Sequence, residues 1–114
     1  MHAPLVLILE SSATVVNLLA AAYPLRSWLL RSVRELAEVQ EELRSARPAV
    51  VVAEPKPRFL EAIVWTLEHR PAVPVVLLNE QDQLPWLELG ITCSLDRAEV
   101  FERLPALVDR MLNS

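Results

Sequence analysis

Three uninterrupted apolar runs constrain this chain more than any other feature: PLVLILESS over residues 4–12, PAVVVAE over 48–54 and VPVVLL over 73–78. Each is of strand length and continuous rather than alternating. A strand with water on one face alternates apolar and polar residues, whereas one covered on both faces reads as an unbroken run. The three runs are therefore expected as central strands of a parallel sheet, and parallel strands require crossover connections, usually helical.

The segments between them supply those crossovers. ATVVNLLAAAY (13–23) is apolar nearly all round before Pro24, as in a short buried helix, and Ser12 is placed to cap it. Residues 25–30 suit either a short strand or a helical start, and are taken as a strand. Ser32 and Glu35 form the S-x-x-E pattern of a capping box, followed by Leu36, Val39 and Leu43 at helical spacing on a segment ending near Ser45. Pro57 suits the first turn of a further helix, with Leu60, Ile63, Val64 and Leu67 as its expected buried stripe. NEQDQLPWLELG (79–90) has room for a loop and a turn or two of helix around Trp86, and Gly90, the only glycine, fits just past a helix C-terminus. ITCSL (91–95) is a last short strand and Asp96 a helix cap. The final helix carries Val100, Phe101, Leu104, Leu107, Val108 and Met111 along one side, with Pro105 either kinking it or marking a fresh start. Strand alternating with helix implies a parallel sheet with helices on both faces, over residues 1–114 as a single domain.

Composition narrows the function. With 114 residues, 53% hydrophobic and 23% charged, the chain is neither disordered nor, lacking an apolar run of about 18 residues, membrane-spanning. Met1 to Leu9 lack a basic leader and stop at Glu10, which favours a strand over a secretory signal. A lone Cys93 offers no intramolecular disulfide and no metal cluster; its expected role is packing, and the expected compartment is the cytoplasm. A net charge of −4, from 11 basic and 15 acidic residues, gives no attraction to a phosphate backbone, and the cluster Arg26, Arg31, Arg34 reads as a solvated face. No segment remains for a helix-turn-helix.

The order of elements, with RPAVVVAE in the middle and HRPAVPVVLLNE later, resembles the receiver domains of response regulators across the whole chain. The resemblance implies a flavodoxin-like α/β fold: a five-stranded parallel sheet of order 2-1-3-4-5, with functional residues at the carboxyl ends of the strands. In that family strand one ends in two acids that hold magnesium; here the positions read Glu10 and Ser11. The phosphoacceptor aspartate at the end of strand three corresponds to Glu54, whose extra methylene displaces the carboxylate by about 1 Å from the place organised for in-line transfer. The hydroxyl residue ending strand four corresponds to Asn79. The lysine expected after strand five is replaced by Asp96 and Arg97, and the chain's only lysine is Lys56, beside Glu54. The resemblance is thus to a degenerate receiver, or pseudo-receiver, with Glu10, Ser11, Glu54 and Asn79 as its altered phosphoacceptor pocket.

The expected function is that of a stand-alone, phosphorylation-independent interaction module of two-component signalling, with no enzymatic activity, cofactor or resident metal. Its partner is a protein or a second copy, through the region of Trp86 with the last strand and helix. Trp65, expected opposite the buried stripe of its helix, and Trp86 are the candidate contact residues, because tryptophan is enriched at binding hot spots. Alternatives remain at the acids. Glu10 and Glu54 together offer oxygen ligands for magnesium in a phosphoacceptor-type regulator modified there or at a non-standard site, and Glu54 alone imitates a permanently phosphorylated aspartate. A serine nucleophile at Ser11 or Ser12 lacks a base, since neither His2 nor His69 is placed to serve it; His69 is expected to complement a helix C-terminus.

Overall fold

The computed structural model describes residues 3–22, 28–45, 47–79, 91 and 93–113, with the backbone alone at Ala22, Asn79, Arg97 and Phe101. The three apolar runs become β1 (Leu5–Leu9), β3 (Ala49–Ala53) and β4 (Val75–Asn79), flanked by the edge strands β2 (Leu29–Ser32) and β5 (Cys93–Asp96). All pairings are parallel, in the order β2-β1-β3-β4-β5. Every residue of β1 and β3 is buried, as their unbroken apolar character requires.

Successive side chains of a strand point to opposite faces, so the core divides in two. Leu5, Leu7, Leu9, Val51, Ala53, Val75 and Leu77 face helices α2 (Leu36–Glu42) and α3 (Pro57–His69). Val6, Ile8, Val50, Val52, Val76, Leu78 and Leu95 face α1 (Thr14–Ala22) and α4 (Arg97–Leu112). A run such as Leu-Val-Leu-Ile-Leu serves both faces at once, which is why it shows no alternation.

Four local expectations shift. The strand expected over 25–30 lies at Leu29–Ser32; residues 23–27 fall outside the described residues. Because Ser32 ends β2 in register with Ile8, it cannot cap α2. The extended residue at the head of that helix is Glu35 (φ −123°, ψ 155°), and the Glu38 carboxylate accepts the N–H groups of Glu35 at 3.2 Å and Arg34 at 3.1 Å. The box thus forms three residues later than the S-x-x-E pattern suggested. On α3 the buried face is Phe59, Ala62, Ile63 and Thr66, while Leu60 is 40% exposed and Val64 and Leu67 are half-buried. Phe59, fully enclosed, fixes the rotation of the helix, and the aliphatic set chosen from sequence lies one residue around from it.

The fourth shift concerns α4. Pro105 is buried within one continuous helix, so no fresh start occurs there. Its inward face is Val100, Leu104, Val108 and Leu112, with Leu107 and Met111 half-buried and the Phe101 side chain outside the described set. Asp96 caps the helix as expected, in a box with Glu99. The Arg103 guanidinium, 2.5 Å from the Glu99 carboxylate, and then the Asp96 N–H hold that carboxyl below the ordinary glutamate value. The helical turn around Trp86 and the cap at Gly90 lie outside the described residues.

The rotation of α3 is directly testable. Phe59→Ala is expected to lower stability by about 3–5 kcal/mol, the usual cost of emptying an aromatic core position, and Leu60→Ala by about 0.5 kcal/mol or less. Urea unfolding of the two variants measures both; the reverse order would place Leu60 inside.

Candidate functional site

The carboxyl ends of β1 and β3 carry the two acids singled out by sequence. Strand register sets Leu9 beside Ala53, so Glu10 and Glu54 leave neighbouring strands at the same level, and the Glu54 N–H donates to the Leu9 carbonyl at 2.8 Å. Both acids are buried, Glu10 to 2% exposure and Glu54 to 8%. A carboxylate removed from water is costly unless donors replace its hydration. Each of these has found donors within the chain.

Glu10 turns toward α1. Its Oε1 accepts the Val15 N–H at 2.9 Å and the Val16 N–H at 3.3 Å, and its Oε2 lies 3.1 Å from the Val15 nitrogen. These are amides of the first helical turn, which have no partner inside the helix. The first turn of α1 contains no acidic residue of its own, so Glu10 supplies the negative charge favoured at a helix N-terminus. Ser12, the cap expected from sequence, plays a lesser part: its hydroxyl is exposed, 3.4 Å from the Thr14 nitrogen and 3.0 Å from the Thr14 hydroxyl.

Glu54 turns across the sheet. Its Oε1 accepts a hydrogen bond from the Ser11 N–H, 43 residues away in sequence. Its Oε2 lies 4.0 Å from the Lys56 ammonium, whose side chain is 41% exposed. Ser11 itself is exposed, and its contribution here is a backbone amide rather than its hydroxyl. Asn79 ends β4 in register with Asp96, at the same pole of the sheet; its side chain lies outside the described set. Glu10, Ser11 and Glu54 are thus brought together, and Lys56 joins them. The donors of Val15, Val16 and Ser11 were missed by sequence reasoning, although an acid five residues before a helical run is a signal that could have found the first two.

The tryptophans lie elsewhere. Trp65 does not lie opposite the buried stripe as expected: with Phe59, Ala62 and Thr66 setting the inner face of α3, it flanks that face, half-buried and packed against the core, about 12 Å along the helix from its start at the strand ends. Its ring stacks on that of His69, with centroids 5.2 Å apart and planes at 13°. His69 Nδ1 sits 3.1 Å from the Trp65 carbonyl. Trp86 lies outside the described residues. Cys93 is half-buried in β5 against the α1/α4 side of the core, consistent with packing. Among the described residues no three His, Cys, Asp or Glu side chains converge as a metal site would require, and no helix is long and apolar enough to cross a membrane.

Comparison with solved structures places this geometry in a known frame. The signal receiver domain of an HD domain-containing protein from Pseudomonas fluorescens Pf-5 superimposes with a TM-score of 0.75 at 15% identity, over 99% of this chain and 89% of that one. The receiver domain of a signal transduction histidine kinase from Syntrophus aciditrophicus gives 0.71 at 22% identity, over 96% and 89%. The receiver domain of a sensor histidine kinase from Pseudomonas aeruginosa PAO1, described with a magnesium ion coordinated in its active-site cleft, gives 0.73 at 14% identity, over 99% and 100%. No protein-family model matches the chain, and no curated protein matches it in sequence. At these identities the likeness establishes the fold: the chain has the five-stranded, flavodoxin-like fold of receiver domains.

If Glu10 is the true cap of α1, Glu10→Gln loses the charge and turns an amide toward N–H donors. Stability is expected to fall by about 1–3 kcal/mol, while Ser12→Ala costs about 0.5 kcal/mol or less. Chemical unfolding of the pair decides between the two caps, and an equal loss in both would remove Glu10 from that role.

Proposed function

We propose that this chain is a receiver-type signalling domain that no longer uses phosphoryl transfer and acts through its surface, by binding a protein partner or a second copy of itself. The observation that carries the proposal is the engagement of both pocket carboxylates by amides of the same chain: Glu10 by Val15 and Val16, Glu54 by Ser11. A receiver's switch needs an acceptor carboxylate facing an incoming phosphoryl group and acids facing a metal. Here the acceptor position holds the longer Glu54, already hydrogen-bonded across to the loop after β1. The position of the second metal acid is Ser11, whose neutral side chain brings no negative charge to balance a cation.

The alternative of a magnesium-dependent phosphoacceptor fits these residues poorly. A cation there competes with the Val15, Val16 and Ser11 amides for the two carboxylates, and it meets the Lys56 ammonium 4.0 Å from the other Glu54 oxygen. Asn79 has no hydroxyl to report a phosphoryl group, and β5 ends at Asp96 and runs straight into Arg97 with no lysine. Lys56 is the one lysine, and it faces Glu54 from the same strand end. No step through a metal follows from this arrangement. On this reading the module is not an enzyme, works in the cytoplasm, and spans residues 1–114 as a single domain.

Incubating the protein with magnesium chloride and acetyl phosphate and recording its intact mass tests the proposal. The mass is expected to stay unchanged; addition of a phosphoryl group would overturn the reading.

The surface assigned to the interaction comprises Trp65, Trp86, β5 and α4. Trp65 lies across the sheet from α4; its ring is half-buried against the core and stacked on His69, and it leaves part of an aromatic body at the surface at little conformational cost. Sedimentation analysis of wild type, Trp65→Ala and Trp86→Ala measures self-association. The substitutions are expected to weaken a wild-type dimer at least about tenfold, the effect of losing a moderate hot spot, and an unaltered dimer would remove both residues from the interface.

A further inference from the structure

We infer that the Ser11 amide and the Lys56 ammonium form a small oxyanion site whose resident ligand is the chain's own Glu54 carboxylate. The inference rests on the reading that this pocket no longer accepts phosphate, and it identifies what the pocket now recognises. The two oxygens of Glu54 meet partners of different kinds: Oε1 takes the Ser11 N–H from the loop after β1, and Oε2 forms an ion pair with Lys56 Nζ at 4.0 Å, beyond hydrogen-bonding distance. The link joins segments 43 residues apart, so it is a tertiary contact and not a local turn.

The chemistry selects a monocarboxylate. One backbone amide and one ammonium match a planar group with two oxygens and a single charge. The Glu10 carboxylate leaves the neighbouring strand at the same level and is committed to α1, so a second negative charge lies close by. That charge disfavours a dianion such as phosphate more than it disfavours acetate or formate. Side-chain length also matters. Glu54 spans from the end of β3 to the loop after β1, and an aspartate in its place is shorter by one methylene. Ser11 and Ser12 are exposed, so the donors are reachable from solvent once the Glu54 side chain is removed.

The site is therefore tested by emptying it and refilling it with acetate. In Glu54→Ala, sodium acetate is expected to raise the thermal unfolding midpoint saturably, beyond any effect of sodium chloride at equal ionic strength, with no such response in wild type. The Ser11 amide resonance should shift on substitution and move back toward its wild-type position as acetate is added. Adding Lys56→Met to Glu54→Ala should weaken the response. A Ser11 resonance indifferent to the substitution, or an acetate effect equal to that of chloride, overturns the inference. Should Glu54→Ala not fold, Glu54→Gln keeps the side-chain shape and removes the charge: Ser11 amide exchange is expected to quicken about tenfold, and unchanged protection overturns the inference equally. The two readings fail separately. Phosphorylated wild type defeats the proposed function, whereas an acetate-blind Glu54→Ala beside unphosphorylated wild type defeats only the anion site.

Discussion

An ionised carboxylate buried at the end of a strand must be given hydrogen-bond donors, and this requirement organises the functional end of the molecule. The strands β1 and β3 lie in the middle of the sheet, each covered on both faces, so the residues that follow them leave the core at its best-packed point. Glu10 and Glu54 are those residues. Placing charge there is tolerable because β1 is followed closely by the first turn of α1, whose unpaired amides meet Glu10, and because Glu54 reaches the amide of Ser11 in between. The loop after β1 is consequently held from both ends, by the acid that precedes it and by the acid of the adjacent strand.

The architecture was legible because it follows from burial. Unbroken Leu, Val and Ile runs have few folds open to them, and the parallel sheet with the order β2-β1-β3-β4-β5 is the one observed. What sequence placed less well depends on competition among neighbours. Ser32 is a good helix cap in isolation but is drawn into β2 by its pairing with Ile8, which passes the capping task to Glu35 and Glu38. Leu60 has the hydropathy of a core residue, yet Phe59 excludes more surface from water and sets the face of α3. The same holds at the site. Glu10, Ser11 and Glu54 were identified by their positions at strand ends, but which oxygen meets which amide is a matter of tertiary geometry that no spacing of residue types displays. The surroundings of Trp86 and the side chain of Asn79 lie outside the described residues, and their assignments rest on sequence alone.

Function follows from what the site has been made into. A receiver's pocket works by remaining incomplete until a cation and a phosphoryl group arrive. In this chain the acids at the corresponding strand ends are hydrogen-bonded by amides of the chain itself, and Lys56 lies 4.0 Å from Glu54. In the proposed reading, these contacts hold the loop after β1 in one conformation whatever the phosphorylation state, and the domain acts through what it binds. In that reading the sheet carries the interaction surface; Trp65 itself is stacked on His69 and partly seated on the core.

The central claim is that the pocket is closed by its own residues, and the most direct measurement is a magnesium titration of the wild-type protein followed by amide resonances. The account predicts no saturable change at Ser11, Val15, Val16 or the residues around Glu54 as magnesium is added. A saturable shift confined to these amides would show that a cation displaces them from Glu10 and Glu54, and would contradict it.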